Sequence, residues 1–305
     1  MSPRGCPRTE RAGRLTLADS VVTALVVTIV FLFLLMAIPR GREHARTATC
    51  QGRLARIGNA LAVFDETQGA LPVATVAGRL DQTENVGSPS PLRTVIDVLK
   101  LPDFSTFDDR DNPPKPQPDR VPGEQRLPDL ICPSDRAATS PLHPAPTSYR
   151  ACAGDDPAGS NGVFALGRGI SLARVQEIDG LTYKAAYSER LVGDGGSLPN
   201  PENYRVVSLI PATPAELEGA RSRGDAGGRW TISDFRYTLY NHAITPGARP
   251  SLVASDGKSA WMGASSSHEH GVHVLFCDGH VDAFRPTVDA TLWRRLAHVE
   301  LEPRE

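Results

Sequence analysis

The densest collection of groups able to bind a metal or move a proton lies near the carboxy terminus. His268, His270, His273, Cys277, Asp278 and His280 fall there within thirteen residues. Imidazole, carboxylate and thiolate are the donors that zinc and related ions prefer. Geometry argues against a shared site. Ten residues of extended strand cover roughly 33 Å, so His268 meets Asp278 within one hairpin only if the chain bends sharply near Gly271, and His273 and Cys277 stand about 13 Å apart. Cys277 and His280, facing each other across a turn, could share a metal locally, but two ligands are too few for a closed tetrahedral site. The expectation is no metal, no other cofactor and no catalytic residue. No Gly-x-Ser-x-Gly elbow or triad order is present, and Ser255-Asp-Gly257 lacks the ligand series of a calcium loop. The chain therefore reads as a non-enzyme, with a metal-dependent enzyme built on the His-rich hairpin as the remote alternative.

The element that carries these groups is a β-hairpin over Val272 to Phe284, because Asp278-Gly279 suits a two-residue type I′ turn. That turn pairs Cys277 with His280, Phe276 with Val281 and Val274 with Ala283. Val272, Val274, Phe276, Val281 and Ala283 then form one apolar face toward the core. Upstream, Asp179-Gly180 leads into an extended run over Tyr183 to Val192, and short strands separated by turns point to antiparallel sheet. A helical turn is expected near Ala215 to Ala220 and a short helix over Leu92 to Leu101. The segment around Pro113, Pro114, Pro116, Pro118 and Pro122 reads as extended loop.

Five cysteines are present: Cys6, Cys50, Cys132, Cys152 and Cys277. Cys132 and Cys152 flank a Pro-rich loop and are the expected disulfide, since closing a loop of about 20 residues contributes roughly 3 kcal/mol in the chain-entropy model. Two buried free thiols are the alternative. The pairing of Cys50 and Cys277 stays open.

The amino-terminal run Leu15 to Ile38 is apolar, with no charge for nineteen residues from Ser20. About twenty residues at roughly 1.5 Å each cross a bilayer, so a membrane helix is expected. A signal peptide competes, but the run is long for one and Ala37-Ile38-Pro39-Arg40 lacks a small-residue cleavage pattern. Four Arg precede the run and three follow closely, a slight excess for the amino terminus inside. Pro39 marks a kink or break. Leu54, Ile57, Leu61 and Phe64 then form the stripe of an amphipathic helix, with Arg53, Arg56 and Asn59 on other faces, and Gly69 with Pro72 ends it.

Length and composition bound the rest. The 305 residues carry a net charge of −2, which leaves no electrostatic footprint for nucleic acid. Gly and Pro are abundant and aromatics sparse, as in a turn-rich domain of short strands.

Leu15-Thr-Leu-Ala-Asp19 resembles the start of a mature type IV prepilin or pseudopilin, with Thr16 in the family's place and an acid at the fifth position, Asp19 where the family usually has Glu. Arg14 stands where that family has the Gly cleaved by prepilin peptidase, the Gly being displaced to Gly13. Farther on, His268 with Asp278-Gly279 nine residues later resembles the signature of the bacterial prepilin-type processing-associated His-x9-Asp-Gly domain family. Cys50 with Leu54, Ile57-Gly58 and Leu61, the Cys132-Pro-Ser-Asp135 box, Ser148-Tyr149 with Cys152, and Asn241-His242 before Pro246-Gly247 extend the likeness along most of the chain.

The resemblance implies an α+β, pilin-like fold: one long kinked membrane-spanning helix packed on an antiparallel β-sheet ectodomain with long loops. Its parts would be a cytoplasmic leader (1–14), the membrane helix (15–38), an amphipathic continuation (39–70) and a β-rich ectodomain (71–305). It further implies a single-pass protein of the bacterial inner membrane with its carboxy-terminal domain outside the cytoplasm, associated with a type II secretion or type IV pilus-like assembly. The partners would be the membrane, other copies or pseudopilins through the amino-terminal helix, and prepilin peptidase. A tethered module binding a surface glycan or protein is the alternative. It calls for an exposed patch, for which Trp230, Tyr237, Tyr240 and Trp261 are the residues to inspect.

Overall fold

Helix α1 covers Leu17–Gln68 as one helical run through Pro39, so of the expected kink or break the break does not occur. One missing amide removes one bond of the ladder, and helix on both sides carries the chain across. The computed structural model describes residues 17–76, 90–92, 96, 98 and 125–300. Gly13, Arg14, Leu15, Thr16 and the Pro-dense segment lie outside them, and the side chain of Asp19 is likewise not described.

The chain divides into two units, Met1–Ala45 and Arg46–Glu305. In the first, Leu17, Val21, Val22, Leu25, Val26 and Phe31 are among apolar side chains that are 44% to 88% exposed. Among the described residues no helix is long and apolar enough to cross a membrane. The side chains of Phe33, Leu34 and residues 36–39 are not described, and they interrupt the run on which the membrane expectation rests.

In the second unit α1 behaves as its pattern predicts. Cys50, Leu54, Ile57, Ala60 and Leu61 are buried while Arg56 and Asn59 face solvent. Beneath this stripe lies a five-stranded sheet in the order β5-β1-β2-β8-β9. Its strands are β1 (Tyr149–Cys152), β2 (Ala185–Glu189), β5 (Leu239–Tyr240), β8 (Val272–Phe276) and β9 (Val281–Phe284). A second sheet runs β4-β3-β6-β7, from β3 (Tyr204–Val207), β4 (Arg221–Arg223), β6 (Ser251–Ala254) and β7 (Ala260–Trp261). The expectation of purely antiparallel sheet needs correcting. β1 with β5 and β3 with β6 are parallel, which the long connections between them permit. The fold is α+β with two mixed sheets.

Among the described residues short helices follow: α2 (Leu172–Ile178), α3 (Pro214–Gly219) at the expected helical turn, and α4 (Ala290–Ala297), while the helix expected over Leu92 to Leu101 lies largely outside the described residues. Asp289 caps α4 by accepting from the Leu292 amide at 2.8 Å. Trp293 and Leu296 of α4 pack with Val272, Val274 and Phe276, while Leu275 belongs with the α1 stripe on the other face of the sheet. The five-stranded sheet is thus covered on both sides.

The hairpin forms at the expected place in a different register. Val272 pairs with Phe284, Val274 with Asp282 and Leu275 with Val281. Phe276, not Cys277, stands opposite His280, whose carbonyl accepts from the Phe276 amide at 2.9 Å. The connection is a three-residue loop, Cys277-Asp278-Gly279, with Gly279 at φ +92 as its left-handed residue. The β8 faces fall as predicted, but the one-residue slip exchanges those of β9. Val281 joins the α1 side, and Phe284 packs at 5.6 Å from the Trp293 ring.

Candidate functional site

Where the amphipathic half of α1 crosses the sheet, four chemically active side chains from four parts of the sequence come together. They are Cys50 on α1, Cys132 just after a 3-10 turn at Pro128–Leu130, Glu189 at the end of β2, and His268 in the loop before β8. All four are buried. Cys50 and Cys132 form a disulfide across 82 residues, with Cα atoms 5.5 Å apart.

This corrects the expected Cys132–Cys152 pair. Cys152 closes β1 and is a buried free thiol in the other core, packed with Tyr240 and Trp293. Burial pushes it up to about 12, so it is protonated and unreactive. Cys277, also free, is likewise raised by burial.

His268 is the hinge of the cluster. The chain turns back at Gly271, whose amide donates to the His268 carbonyl at 3.2 Å, so His268 leaves the line of β8 and reaches toward α1. Its Nε2 lies 3.3 Å from Cys132 Sγ and 3.3 Å from Glu189 Oε1. Its Nδ1 lies 3.2 Å from Thr47 Oγ1 on α1.

Glu189 is held by a second imidazole. Oε2 accepts from the His273 backbone amide at 3.0 Å and lies 3.0 Å from His273 Nδ1. The two imidazole rings meet edge to face with centroids 5.2 Å apart. Burial alone would raise the Glu189 carboxyl, but the hydrogen bonds and charges of His268 and His273 outweigh it and bring the group down to about 2. A carboxylate is therefore kept ionised in the interior. Tyr149, on β1, is buried beside it, and its hydroxyl is raised by burial first and then by the Glu189 charge. The Arg53 guanidinium, one turn beyond Cys50, donates to the Ile131 carbonyl and lies against the Tyr149 hydroxyl.

The expected motif residues separate. Asp278 and Gly279 shape the hairpin tip, where Asp278 Oδ1 lies 2.5 Å from His280 Nδ1 and takes no part in the buried cluster. His270 is exposed. Phe276, not Cys277, takes the position across from His280 and stacks on it with ring centroids 4.5 Å apart. What sequence reading missed was Glu189, Thr47 and Cys132 as partners of His268, and Cys50 as the disulfide partner of Cys132. The one local signal was a charged Glu closing a short, fully buried strand.

The other boxes are structural ties. Asp135 accepts from Ser148 Oγ at 2.8 Å, the Val192 amide at 3.0 Å and the Ala138 amide at 3.3 Å, binding three segments together. Burial raises its carboxyl to about 6. His242 stacks on Trp293 at 3.6 Å, and burial lowers it to about 3, leaving it neutral.

The aromatic residues proposed for a binding patch turn inward. Trp230 donates from Nε1 to the Gln125 carbonyl at 2.7 Å, Tyr237 donates to Asp225 at 3.2 Å, and Tyr240 is fully buried, leaving Trp261 half-buried at an edge. Trp230, Tyr237 and Tyr240 each bury the ring and find a partner for its polar end, so these three form no exposed patch.

A family model described as a protein of unknown function (DUF1559) matches residues 39–291. Neither the curated proteins nor the solved structures contain a match.

Proposed function

The chain belongs to this DUF1559 family, and on that premise we propose that it is a pseudopilin-like, membrane-anchored protein of the bacterial cell envelope with a structural rather than catalytic role. The observation that carries the reading is the first unit of α1. Its apolar side chains are exposed on all sides, from Leu17 at 88% to Ile29 at 44%. A helix apolar all round, rather than along one stripe, suits lipid or a bundle of like helices. The nineteen uncharged residues from Ser20 would rise roughly 28 Å, close to the thickness of a hydrocarbon core.

Two further features support the placement. Leu15-Thr-Leu-Ala-Asp19 has the pilin-like order at the start of the helix. The Cys50–Cys132 disulfide suits an oxidising compartment outside the cytoplasm. In this reading prepilin peptidase processes the leader, and the anchor also joins copies or related pseudopilins laterally within a secretion or pilus-like assembly.

The test is to express the full chain in a bacterial host and extract the membranes with alkaline carbonate. We expect the full chain to stay with the membrane and a version starting at Arg46 to be released. Intact mass showing a new terminus at Leu15, and crosslinks between copies through cysteines placed along residues 20–32, would support processing and assembly. Recovery of the full chain in the soluble fraction, or a mature terminus near Arg40, would overturn the anchor. A crosslinking series that yields monomers alone would overturn the assembly.

A further inference from the structure

The cluster around His268 has the composition and spacing of a metal centre whose two sulfurs are locked together. One donor atom from each of Cys50, Cys132, Glu189 and His268 lies within 4.8 Å of all the others. We propose that reduction of the Cys50–Cys132 disulfide opens this site to a single thiophilic divalent cation of the zinc type, held by Cys50 Sγ, Cys132 Sγ, His268 Nε2 and Glu189 Oε1.

The distances fit. Bonds of about 2.0 to 2.3 Å at tetrahedral angles place donor atoms about 3.3 to 3.8 Å apart. His268 Nε2 already lies 3.3 Å from Cys132 Sγ and 3.3 Å from Glu189 Oε1, so two edges of the tetrahedron exist before any metal arrives. Breaking the sulfur–sulfur bond lets the thiolates separate toward the same spacing.

The surroundings are also those of a metal site. With Nδ1 protonated and donating to Thr47 Oγ1, His268 keeps the Nε2 lone pair for the ion. Glu189 has Oε2 engaged by the His273 amide and ring, which leaves Oε1 turned toward His268 and the sulfurs. Oε1 is buried, and its contact with His268 Nε2 is a long one at 3.3 Å. Two thiolates and a carboxylate around a dication leave one net negative charge, and the Arg53 guanidinium on the adjacent turn of α1 lies close by, between the Ile131 carbonyl and the Tyr149 hydroxyl. Two sulfurs and an imidazole select zinc-like ions over magnesium or calcium.

The chemistry balances with a dithiol as reductant. The dithiol gives two electrons and two protons to the sulfur–sulfur bond and becomes a disulfide itself. The two protein thiols then release two protons as the ion binds. Either state ties α1 to the segment at Cys132, by a covalent bond in one case and through the metal in the other.

The experiment uses the full chain, reduced with a phosphine, freed of reductant under nitrogen and titrated with cobalt(II) and then zinc. We expect one cobalt per chain, with tetrahedral ligand-field bands and thiolate-to-cobalt charge transfer, both abolished by zinc. Zinc should protect Cys50 and Cys132 from alkylation, and the oxidised chain should show neither spectrum. His268→Ala should lose the tetrahedral spectrum, while the milder Thr47→Val should weaken binding by roughly 10- to 100-fold through the orientation of His268. A reduced wild-type chain without tetrahedral cobalt, no zinc protection of Cys50 and Cys132, or equal binding by the oxidised chain would overturn the proposal. The outcome is independent of whether the amino-terminal helix enters a membrane.

Discussion

Asp135 shows how a single buried carboxyl sets a measurable pH response. Its folded value of about 6 lies above its ordinary value of 3.8 because burial disfavours the charge. The folded state therefore keeps a proton that the unfolded chain has lost between those values. The resulting stability is fully present below pH 3.8 and is lost as pH rises through about 6, by up to about 3 kcal/mol. Measured by urea unfolding, the advantage of wild type over Asp135→Asn should shrink across this window, and a constant difference would refute the assignment. At Cys50 and Cys132, the double substitution to Ser should cost about 2 to 5 kcal/mol. Cys152→Ala should cost less in the same assay, since its thiol closes no loop; equal losses would restore the pairing with Cys152. The cysteine count and the motif histidines were legible in the sequence, but their partners were not. Cys50 and Cys132 are 82 residues apart, and His268 and Glu189 meet only because β2 and β8 are neighbours.

At the scale of elements, the contact between α1 and the hairpin rests on a small residue. A side chain at Gly58 would begin 2.9 Å from Leu275 Cδ1 and 3.5 Å from the Gly279 Cα. Gly58→Ala should be close to neutral, because the end of Leu275 can shift while the helix gains about 1 kcal/mol of propensity. Gly58→Leu should cost about 1 to 3 kcal/mol by overpacking, and thermal unfolding of the two variants separates these effects. Equal stability for both would mean that α1 and β8 are not in close contact. The elements were largely readable: α1 ends at Gly69 as its pattern requires, and Asp278-Gly279 marks the hairpin. The register was not, because an Asp-Gly pair fits both a two-residue turn and a three-residue loop. Packing of Phe284 on Trp293 and of Val281 on the α1 side accompanies the three-residue solution.

For the whole molecule, the partition into Met1–Ala45 and Arg46–Glu305 predicts that a chain starting at Arg46 keeps the disulfide and unfolds within about 0.5 kcal/mol of the full chain. Denaturant unfolding in detergent, with thiol mapping, checks this; a large loss would mean that the first unit supports the second. The apolar amino-terminal run, the buried stripe of α1 and the hairpin all follow from neighbours close in sequence, through helical periodicity, turn chemistry and hydropathy. Those forces act over a few residues, and so the chain reveals them directly. The pairing of Cys50 with Cys132, the seating of Glu189 between two histidines and the mixed strand order depend on which distant segments share a core. That choice is made by burial of the whole apolar surface at once, and it appears only when the chain is folded.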